Sequence, residues 1–241
     1  MTAQLQKLGI IGADGRMGQA VEAVAAGKFE ISARITLDNA DYAALTKCNC
    51  IIDFSAGPAL MAALPHLNAN TPIVSGTTGL SGSEEHAVAH ASKTVPIFRS
   101  GNFSLGIAVL SSLARQAASA LGEGWDIEIL EMHHKHKVDA PSGTGLMLGN
   151  AVADGRGVVL SDVASHDRAG KRKDGDIGFA VLRAGGVYGL HEVRLASESE
   201  MITLGHQALN RDVFAHGALT AADWMMGKAP GLYSMADLID L

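Results

Sequence analysis

Cysteine is scarce in this sequence: Cys48 and Cys50 are the only two among 241 residues. They are too close together for a useful disulfide and lie in the apolar run CNCIID, so we expect two small, buried side chains of a cytosolic protein. A redox or metal-binding pair would need a different spacing and further ligands. Long apolar runs are also missing, since no segment approaches the roughly 20 residues that span a bilayer. The first residues, MTAQLQKLGIIGADG, lack the charged and apolar regions of a signal peptide.

An excess of basic charge is absent as well. The formal net charge of −6 argues against general nucleic-acid binding, so the positive charge around Lys135 is a local feature. With 47% hydrophobic and 18% charged residues, the chain fits a globular protein with a sizeable core in one or two domains. Internal repeats and low-complexity tracts are not found.

A short apolar strand from Leu8 to Ile11 runs directly into the glycine-rich segment GADGRMG at 12–18, and a helical pattern follows. This order is typical of a dinucleotide-binding loop, because glycines let the backbone approach a pyrophosphate and the helix N-terminus offers free N–H groups. The spacing is G-x-x-G-x-x-G, since Asp14 and Met17 stand at two positions where glycine is commoner. The segment predicts cofactor binding, with an ordinary glycine-rich turn as the alternative.

Further apolar strands alternate with helices, which predicts a parallel sheet. These strands are Glu30–Leu37, Asn49–Phe54, Pro72–Ser75 and Val95–Phe98. The loops at 55–58, 76–79 and 100–104 follow strand ends and are rich in Gly, Ser, Thr or Asn, so they join the first loop at the edge where such sheets bind ligands.

The residues at the end of the second strand do not decide which of the two cofactors is bound. Either Asp38, the first acid after Ile35-Thr36-Leu37, holds the adenosine ribose, or the position is effectively neutral and tolerates a 2′-phosphate with help from Arg16 or Arg34. The choice between NAD and NADP therefore stays open.

The segment WDIEILEMHHKHKVDAPSGTGL at 125–146 contains the densest chemistry. We expect a strand over Asp126–Met132, a loop from His133 and a helix capped by Ser142, whose N-terminus can bind a carboxylate. Three histidines and two lysines lie within five residues, His133 to Lys137. Histidine suits proton transfer near neutral pH, so the segment predicts an anionic-substrate site with proton donors. The alternatives are a metal site, which clustered lysines disfavour, or a solvated basic loop.

The second half of the chain predicts an α+β domain with largely antiparallel strands and an open sheet of the kind that often associates subunits. The expected elements are a helix at 105–121, a surface loop at 165–176, strands at 177–183, 187–196 and 200–206, and a helix at 211–227. The tail GLYSMADLIDL is expected to form a short amphipathic helix that docks on the first domain.

The motif E-x-H-H-x-x-K-x-D-x-P-S-G-T, from Glu131 to Thr144, gives the sequence a family resemblance. The chain resembles the 4-hydroxy-tetrahydrodipicolinate (dihydrodipicolinate) reductases of the diaminopimelate route to lysine. Further matching segments are IGADGRMG at 11–18, SGTTG at 75–79, IGFAVLRAGGVYGLHEV at 177–193 and the ending NRDVFAHGAL with GKAPGLYSMADLIDL, so the resemblance covers nearly the whole chain.

The resemblance implies an α/β fold with a Rossmann-like dinucleotide-binding domain over 1–104 and 210–241. An α+β substrate-binding and tetramerisation domain with an open mixed sheet would span 105–209. It also implies NADH or NADPH as cofactor, a small dicarboxylate substrate, a cytoplasmic homotetramer, and neither nucleic acid nor membrane as a partner.

Residue roles follow from the same resemblance. His133 would donate or accept a proton and Lys137 would donate one, without a metal. The implied substrate-binding residues are His134, Ser142, Gly143 and Thr144. The implied cofactor-binding residues are Gly12, Ala13, Asp14, Gly15, Arg16, Met17, Asp38, Gly76, Thr77, Thr78, Ser100, Gly101, Asn102 and Phe103.

Two departures from the family pattern concern the cofactor. The chain is short between Asp38 and Asn49, where a strand and its loops would be expected, and the family's acidic ribose ligand falls near Thr36. Competing interpretations are a related dehydrogenase acting on another acidic small molecule, such as an amino acid, and a nucleotide sensor with a dead site.

Overall fold

The computed structural model describes residues 5–166 and 169–240. The strands are β1 Gln6–Ile11, β2 Phe29–Ile35, β3 Cys50–Asp53, β4 Ile73–Ser75, β5 Pro96–Arg99, β6 Asp126–His133, β7 Ala164–Ser165, β8 Ile177–Arg183, β9 Leu190–Ala196, β10 Met201–Gln207 and β11 Gly231–Tyr233. The α-helices are α1 Arg16–Ala25, α2 Gly57–Ala63, α3 Gly82–Ala91, α4 Leu105–Leu121, α5 Gly143–Arg156, α6 Leu160–Val163, α7 Asp212–Met225 and α8 Met235–Ile239.

The described residues form two compact units. The first consists of the chain up to Ser104 together with Asp212–Asp240, and the second is Leu105–Arg211. Within the described part of the chain, no helix is both long and apolar enough to cross a membrane.

The first unit contains a six-stranded sheet in the order β11-β5-β4-β3-β1-β2, and every pairing in it is parallel. The prediction of a parallel sheet from alternating strands and helices is confirmed. All four residues of β3 and all three of β4 are buried, as expected for strands covered on both faces. Cys48 and Cys50 are buried too, and burial raises the pKa of the Cys50 thiol to about 12.

The C-terminal tail corrects one prediction. Gly231–Tyr233 does not begin a helix but forms β11, which lies parallel to β5 with Tyr233 opposite Phe98. Pairing with the open edge of the sheet satisfies backbone N–H and C=O groups that the local pattern could not reveal. The short helix α8 follows at Met235, and Leu241 lies outside the described residues. Docking of the tail on the first unit is confirmed.

The second unit contains a five-stranded open sheet in the order β10-β9-β6-β8-β7. β9 is antiparallel to β6 and β10, whereas β8 is parallel to β6 and β7. The expected mixed sheet is confirmed, but "largely antiparallel" is wrong for half of the pairings. The connection from β6 to β8 passes through α5, and a helical crossover returns the chain in the parallel direction.

One face of this sheet packs against α4 and α5. The shared core includes Ile107, Leu110, Ile127, Ile129, Leu148, Val152, Phe179, Val193 and Leu195. Because residues alternate along a strand, the even-numbered positions of β6 face away from these helices.

Arg172 fixes part of the basic loop at 165–176. Nε of Arg172 lies 2.7 Å from the Asp126 carboxylate, and its guanidinium also contacts the carboxylate of Glu128. Arg172 therefore anchors this part of the predicted surface loop to β6. Asp167 and Arg168 of the same loop lie outside the described residues.

Candidate active site

The buried face of β6 changes from apolar to ionisable as the strand ends. Ile127 and Ile129 are fully buried, and the next two residues on the same face are Glu131 and His133, also buried. The strand extends through His133, slightly further than the sequence predicted. The fold thus places a carboxylate and an imidazole at the rim of the hydrophobic core.

The loop after β6 holds Lys137 between two charged side chains. Its ammonium Nζ lies 2.8 Å from the Asp139 carboxylate, and the Lys137 hydrogen bond is the largest cause that lowers the pKa of Asp139. Arg183, opposite His133 in the pairing of β6 with β8, donates to the carbonyl oxygens of Lys137 at 3.3 Å and Asp139 at 2.5 Å. Arg183 therefore fixes the loop that carries Lys137.

Ser142 caps α5, as predicted, and its hydroxyl accepts a hydrogen bond from the N–H of Gly145 at 3.0 Å. Both its own N–H and its hydroxyl donate to the Glu131 carboxylate. The Ser142 hydroxyl is therefore occupied by hydrogen bonds within the protein. Gly143, the next residue, is exposed and has open space where a side chain would stand. A ligand carboxylate can approach the N–H groups of this first turn closely.

His133 and His191 form a buried pair with ring centroids 5.0 Å apart in an edge-to-face arrangement. Burial is the main cause that lowers both pKa values, and it brings that of His191 to about 3. The charges of Lys137 and Arg183 lower the His133 pKa further, whereas Glu131 and Asp139 oppose them. Both imidazoles therefore favour the neutral form in the free protein.

The other members of the basic segment lie further out. His134 is partly buried with its ring centroid 6.2 Å from that of His136, and Lys135 and His136 are exposed. Thr144 is partly buried in the first turn of α5. The structure thus brings His133, Lys137 and the start of α5 into one region of the second unit.

Three residues of this region were missed as functional residues: Glu131, Arg183 and His191. Glu131 and His133 interrupt an inward apolar pattern at alternate positions, which is a signal that the sequence contains. No local signal marks His191, which reaches Glu131 only through the pairing of β6 with β9. Glu131, His133 and His191 offer side-chain N and O atoms within 4.8 Å of one another, but the neighbouring charges of Lys137 and Arg183 favour an anion over a cation.

In the first unit, the backbone of the glycine-rich turn packs so closely that side chains at Gly12 and Gly18 would clash with it. Gly12 has φ +77°, and a Cβ there would lie 2.7 Å from the carbonyl oxygen of Phe54. A Cβ on Gly18 would lie 2.2 Å from the carbonyl oxygen of Gly12. Gly15 is the N-cap of α1 and provides no side-chain cap, so the first N–H groups of the helix can bind an anion. These features fit a dinucleotide pyrophosphate.

A cavity of about 350 Å³ adjoins this turn. It is lined by Ile11, Gly12, Asp14, Gly15, Ile35, Thr36, Leu37, Tyr42, Phe54, Ser55, Ala56 and Ala59. Thr36 thus reaches the cavity, while Asp38 is exposed outside this lining and Arg34 is engaged by Glu22 with Nε–Oε2 at 3.0 Å. Tyr42–Lys47, in the segment that departs from the family pattern, forms a 3-10 helix before β3.

The remaining predicted cofactor residues lie on the loops after β4 and β5 and around the first glycine-rich turn. Ser100 accepts from the N–H of Asn102 at 3.1 Å, Gly101 and Thr78 are exposed, Gly76 is partly buried, and Phe103 packs edge-on against Phe54 with centroids 5.4 Å apart. Ala13 is buried in the first loop, Arg16 is exposed and Met17 is partly buried.

Asp53 organises these loops, and the sequence reading missed it. Its buried carboxylate accepts the hydroxyls of Ser75 at 2.7 Å and Thr77 at 2.8 Å, and it also accepts from Ser55. Arg99 adds a second link by donating to the carbonyl oxygen of Thr77 at 2.9 Å. An acid at the end of a buried strand, followed by Ser55 on the next turn, is the signal that could have revealed the network.

A chain with a parallel sheet and a glycine-lined βα turn in one unit, and with proton donors at a helix N-terminus in the other, has the features of a nicotinamide-dependent oxidoreductase of Rossmann-like fold acting on a small anion. The family models described as dihydrodipicolinate reductase, N-terminus and C-terminus, match residues 6–103 and 106–239. The chain belongs to the dihydrodipicolinate reductase family.

Individual relatives agree with this assignment. A 4-hydroxy-tetrahydrodipicolinate reductase of Caulobacter vibrioides is 45% identical and covers 98% of both chains. One from Zymomonas mobilis is also 45% identical, over 98% of this chain and 97% of its own. The solved structure of dipicolinate-bound dihydrodipicolinate reductase from Paenisporosarcina sp. TG-14 shares the fold, with a TM-score of 0.76, 20% identity and coverage of 98% and 100%. A dehydrogenase for a different acidic small molecule, or a dead sensor, is not favoured by these matches.

Proposed function

We propose that this protein reduces 4-hydroxy-tetrahydrodipicolinate to tetrahydrodipicolinate with NADH or NADPH, with loss of water, in the diaminopimelate route to lysine. Each turnover consumes one hydride and one proton and releases one water. The observation that carries the proposal is the placement of His133 and Lys137 beside the start of α5 in a chain of this family. When bound, the reduced nicotinamide supplies the hydride.

Substrate binding is assigned to the start of α5 and the loop before it. The N–H groups of Gly143 and Thr144 bind one carboxylate, helped by the partial positive charge of the helix N-terminus and by the capping of Ser142. His134 and Lys137 bind the substrate from the loop side. The exposed Asp139 holds Lys137 in the free protein, and a substrate carboxylate takes its place. Dipicolinate, a flat dicarboxylate, serves as a probe of this site.

Proton delivery is assigned to His133 and Lys137. A bound dicarboxylate adds negative charge near His133 and so favours its protonated form, which can then act as an acid. Lys137 has three N–H donors, enough to bind a substrate oxygen and transfer a proton. His133 and Lys137 are thus the residues whose loss should affect the chemical step.

Cofactor binding is assigned to the first unit, to 1–104 with 210–241, and substrate binding to 105–209. Gly12–Met17 would hold the pyrophosphate, and the loops of Gly76–Thr78 and Ser100–Phe103 would hold the nicotinamide half. Thr36, which lines the cavity next to the glycine-rich turn, would contact the adenosine ribose, with Asp38 as the alternative ligand.

We assign a cytoplasmic homotetramer assembled through the outer face of the open sheet. On that face, Leu182 is 48% exposed and Met201 58% exposed. Leu182 lies opposite Met132 in the pairing of β6 with β8, so the apolar surface continues across strands. Exposed apolar sheet faces of this kind are often covered by a second subunit.

The test is to change His133 and Lys137 singly to Ala and measure kcat and KM with the cyclic substrate. General acid catalysis contributes about 10²–10⁴-fold, so we expect kcat losses in this range. The exposed Lys135→Ala is the matched control and should lose less than about threefold, since solvent screens exposed charge. Unchanged kcat in both His133→Ala and Lys137→Ala would refute the assignment.

A further inference from the structure

Glu131 is a buried carboxylate to which the proposed reaction assigns no role. Its side chain is 1% exposed, on the inward face of β6. Burying a carboxylate is costly unless donors surround it. Oε1 accepts the N–H of Ser142 at 2.9 Å and Oε2 accepts the Ser142 hydroxyl. Since Ser142 caps α5, the carboxylate fixes the helix start that binds the substrate.

The same carboxylate also faces the histidine pair. Oε2 lies 3.7 Å from Nε2 of His191, which stands opposite Glu131 in the pairing of β6 with β9. The His191 ring in turn contacts the ring of His133. Nδ1 of each of these histidines is buried without a hydrogen-bond partner among the described residues. Glu131 therefore lies between the substrate-binding helix start and the imidazole that delivers a proton.

The surroundings are shaped for a carboxylate. A Cβ on Gly145 would lie 2.8 Å from Oε2 of Glu131, so a side chain at this turn of α5 would displace the carboxylate from its present position. Nη1 of Arg183 lies 3.7 Å from Oε1 of Glu131 and brings a positive charge to the other side. The negative charge of Glu131 thus offsets the cations that surround His133.

We propose that Glu131 is a positioning residue that holds the substrate-binding start of α5 through Ser142 and keeps His133 able to carry the proton it delivers. The inference rests on the proposed function. Glu131 acts through Ser142 and through its charge and does not touch the substrate.

The charge balance around His133 gives the direction of the effect. Glu131 comes from the strand of His133, Lys137 and Asp139 from the following loop, Arg183 from β8, and the neutral His191 from β9. Glu131 and Asp139 raise the His133 pKa, and Lys137 and Arg183 lower it. Loss of the negative charge at position 131 leaves the two cations less opposed, so it should lower the His133 pKa.

The first test is Glu131→Gln, which removes the charge and keeps the shape. We expect the His133 titration, followed by NMR of labelled histidine and assigned with His133→Ala, to shift down by about one pH unit. We also expect the alkaline limb of kcat/KM, where His133 loses its proton, to move down by about the same amount, and dipicolinate to bind about tenfold more weakly. The Kd for NADH should stay unchanged, because Glu131 belongs to the second unit.

Glu128→Gln is the matched control, since it removes a carboxylate from the opposite face of the same strand, where it pairs with Arg172. It should leave the His133 titration and the pH profile unchanged. Glu131→Asp should restore the titration toward that of the wild type while KM remains raised, because the charge is kept and the reach is shortened.

A uniform loss of activity at all pH values, with an unshifted His133 titration, would show a structural role only and overturn the proposal. If Glu131→Gln does not fold, the Ser142→Ala variant tests the link between Glu131 and the start of α5. We expect this variant to raise KM without moving the pH profile. An unchanged KM would overturn the proposal. A third outcome separates the two proposals. If Glu131→Gln shifts the His133 titration and weakens dipicolinate binding as expected, but the wild-type protein shows no turnover, the proposed function is refuted and the role of Glu131 stands.

Discussion

Asp53 and Glu131 are the two fully buried acidic residues in the described part of the chain, one in each unit. Both lie at or near the end of a strand and accept hydrogen bonds from backbone N–H and hydroxyl groups. The partners of Asp53 are neutral donors from Ser55, Ser75 and Thr77. Glu131 additionally faces the ionisable Arg183 and His191.

This difference separates two uses of a buried carboxylate. The donors of Asp53 come from the end of β4 and from the turns after β3 and β4, so its hydrogen bonds fix loops assigned to the cofactor, and none of these donors is ionisable. The charge of Glu131 belongs to a set that includes a proton-carrying histidine. Substitution of Asp53 should therefore alter stability and cofactor affinity, whereas substitution of Glu131 should alter pH dependence.

The largest expected effect is that of Asp53→Ala. The change leaves several buried donors without an acceptor, each costing about 1–3 kcal/mol, so we expect the free energy of unfolding of the first unit to fall by about 3 kcal/mol or more. Urea denaturation measures the loss, and a fluorescence titration should show weaker NADH binding.

Asp53→Asn sharpens the contrast with Glu131, because it keeps the shape of the side chain. At saturating cofactor its pH profile should match the wild type, unlike that of Glu131→Gln. The exposed Asp38→Ala should change the unfolding free energy by no more than about 0.5 kcal/mol. Wild-type stability in Asp53→Ala would contradict the loop-fixing role.

A smaller effect concerns stability against acid. Burial brings the folded-state pKa of His191 to about 3, whereas its unfolded-state value is about 6.5. Between these values the unfolded state binds more protons, so the stabilising contribution is present above pH 6.5 and is lost as pH falls. We expect His191 alone to lower the free energy of unfolding by up to about 1.4 kcal/mol for each pH unit between 6.5 and about 3.

His191→Gln should reduce this slope, measured by urea denaturation between pH 6.5 and 4.5. His133 and His206, whose pKa values burial also lowers, should retain part of it. The exposed His86→Gln is the matched control. An identical slope in His191→Gln and the wild type would mean that His191 does not contribute to the acid sensitivity of the second unit.

The features of the fold that the sequence predicts correctly are mostly those set by local sequence patterns. The glycine turn before α1, the alternation of strands and helices, and the capping of α5 by Ser142 depend on neighbouring residues, and the structure has all three. Family resemblance supplied the roles of His133 and Lys137, which remain proposals.

What the sequence could not predict depends on pairing between distant segments. β11 forms only because the edge of β5 is available to it, and His191 meets Glu131 only through strand register. Arg172 was assigned to a surface loop, yet its guanidinium reaches Asp126 on β6. Local propensity does not encode such pairings, and the most informative contacts of the site belong to this class.

The smallest expected effect concerns cofactor preference in the first unit. Among the described residues, Asp14 is the one acid in the lining of the cavity next to Thr36. The hydroxyl of Thr36 accepts from the N–H of Asn39 at 3.0 Å, and the Arg34 guanidinium is paired with Glu22. Thr36→Asp should favour NADH over NADPH by about fivefold in kcat/KM, because a carboxylate can bind the ribose hydroxyls and repels a 2′-phosphate. The exposed Asp38→Asn should change the ratio less than about twofold. A shift in Asp38→Asn without one in Thr36→Asp would instead identify Asp38 as the ribose ligand.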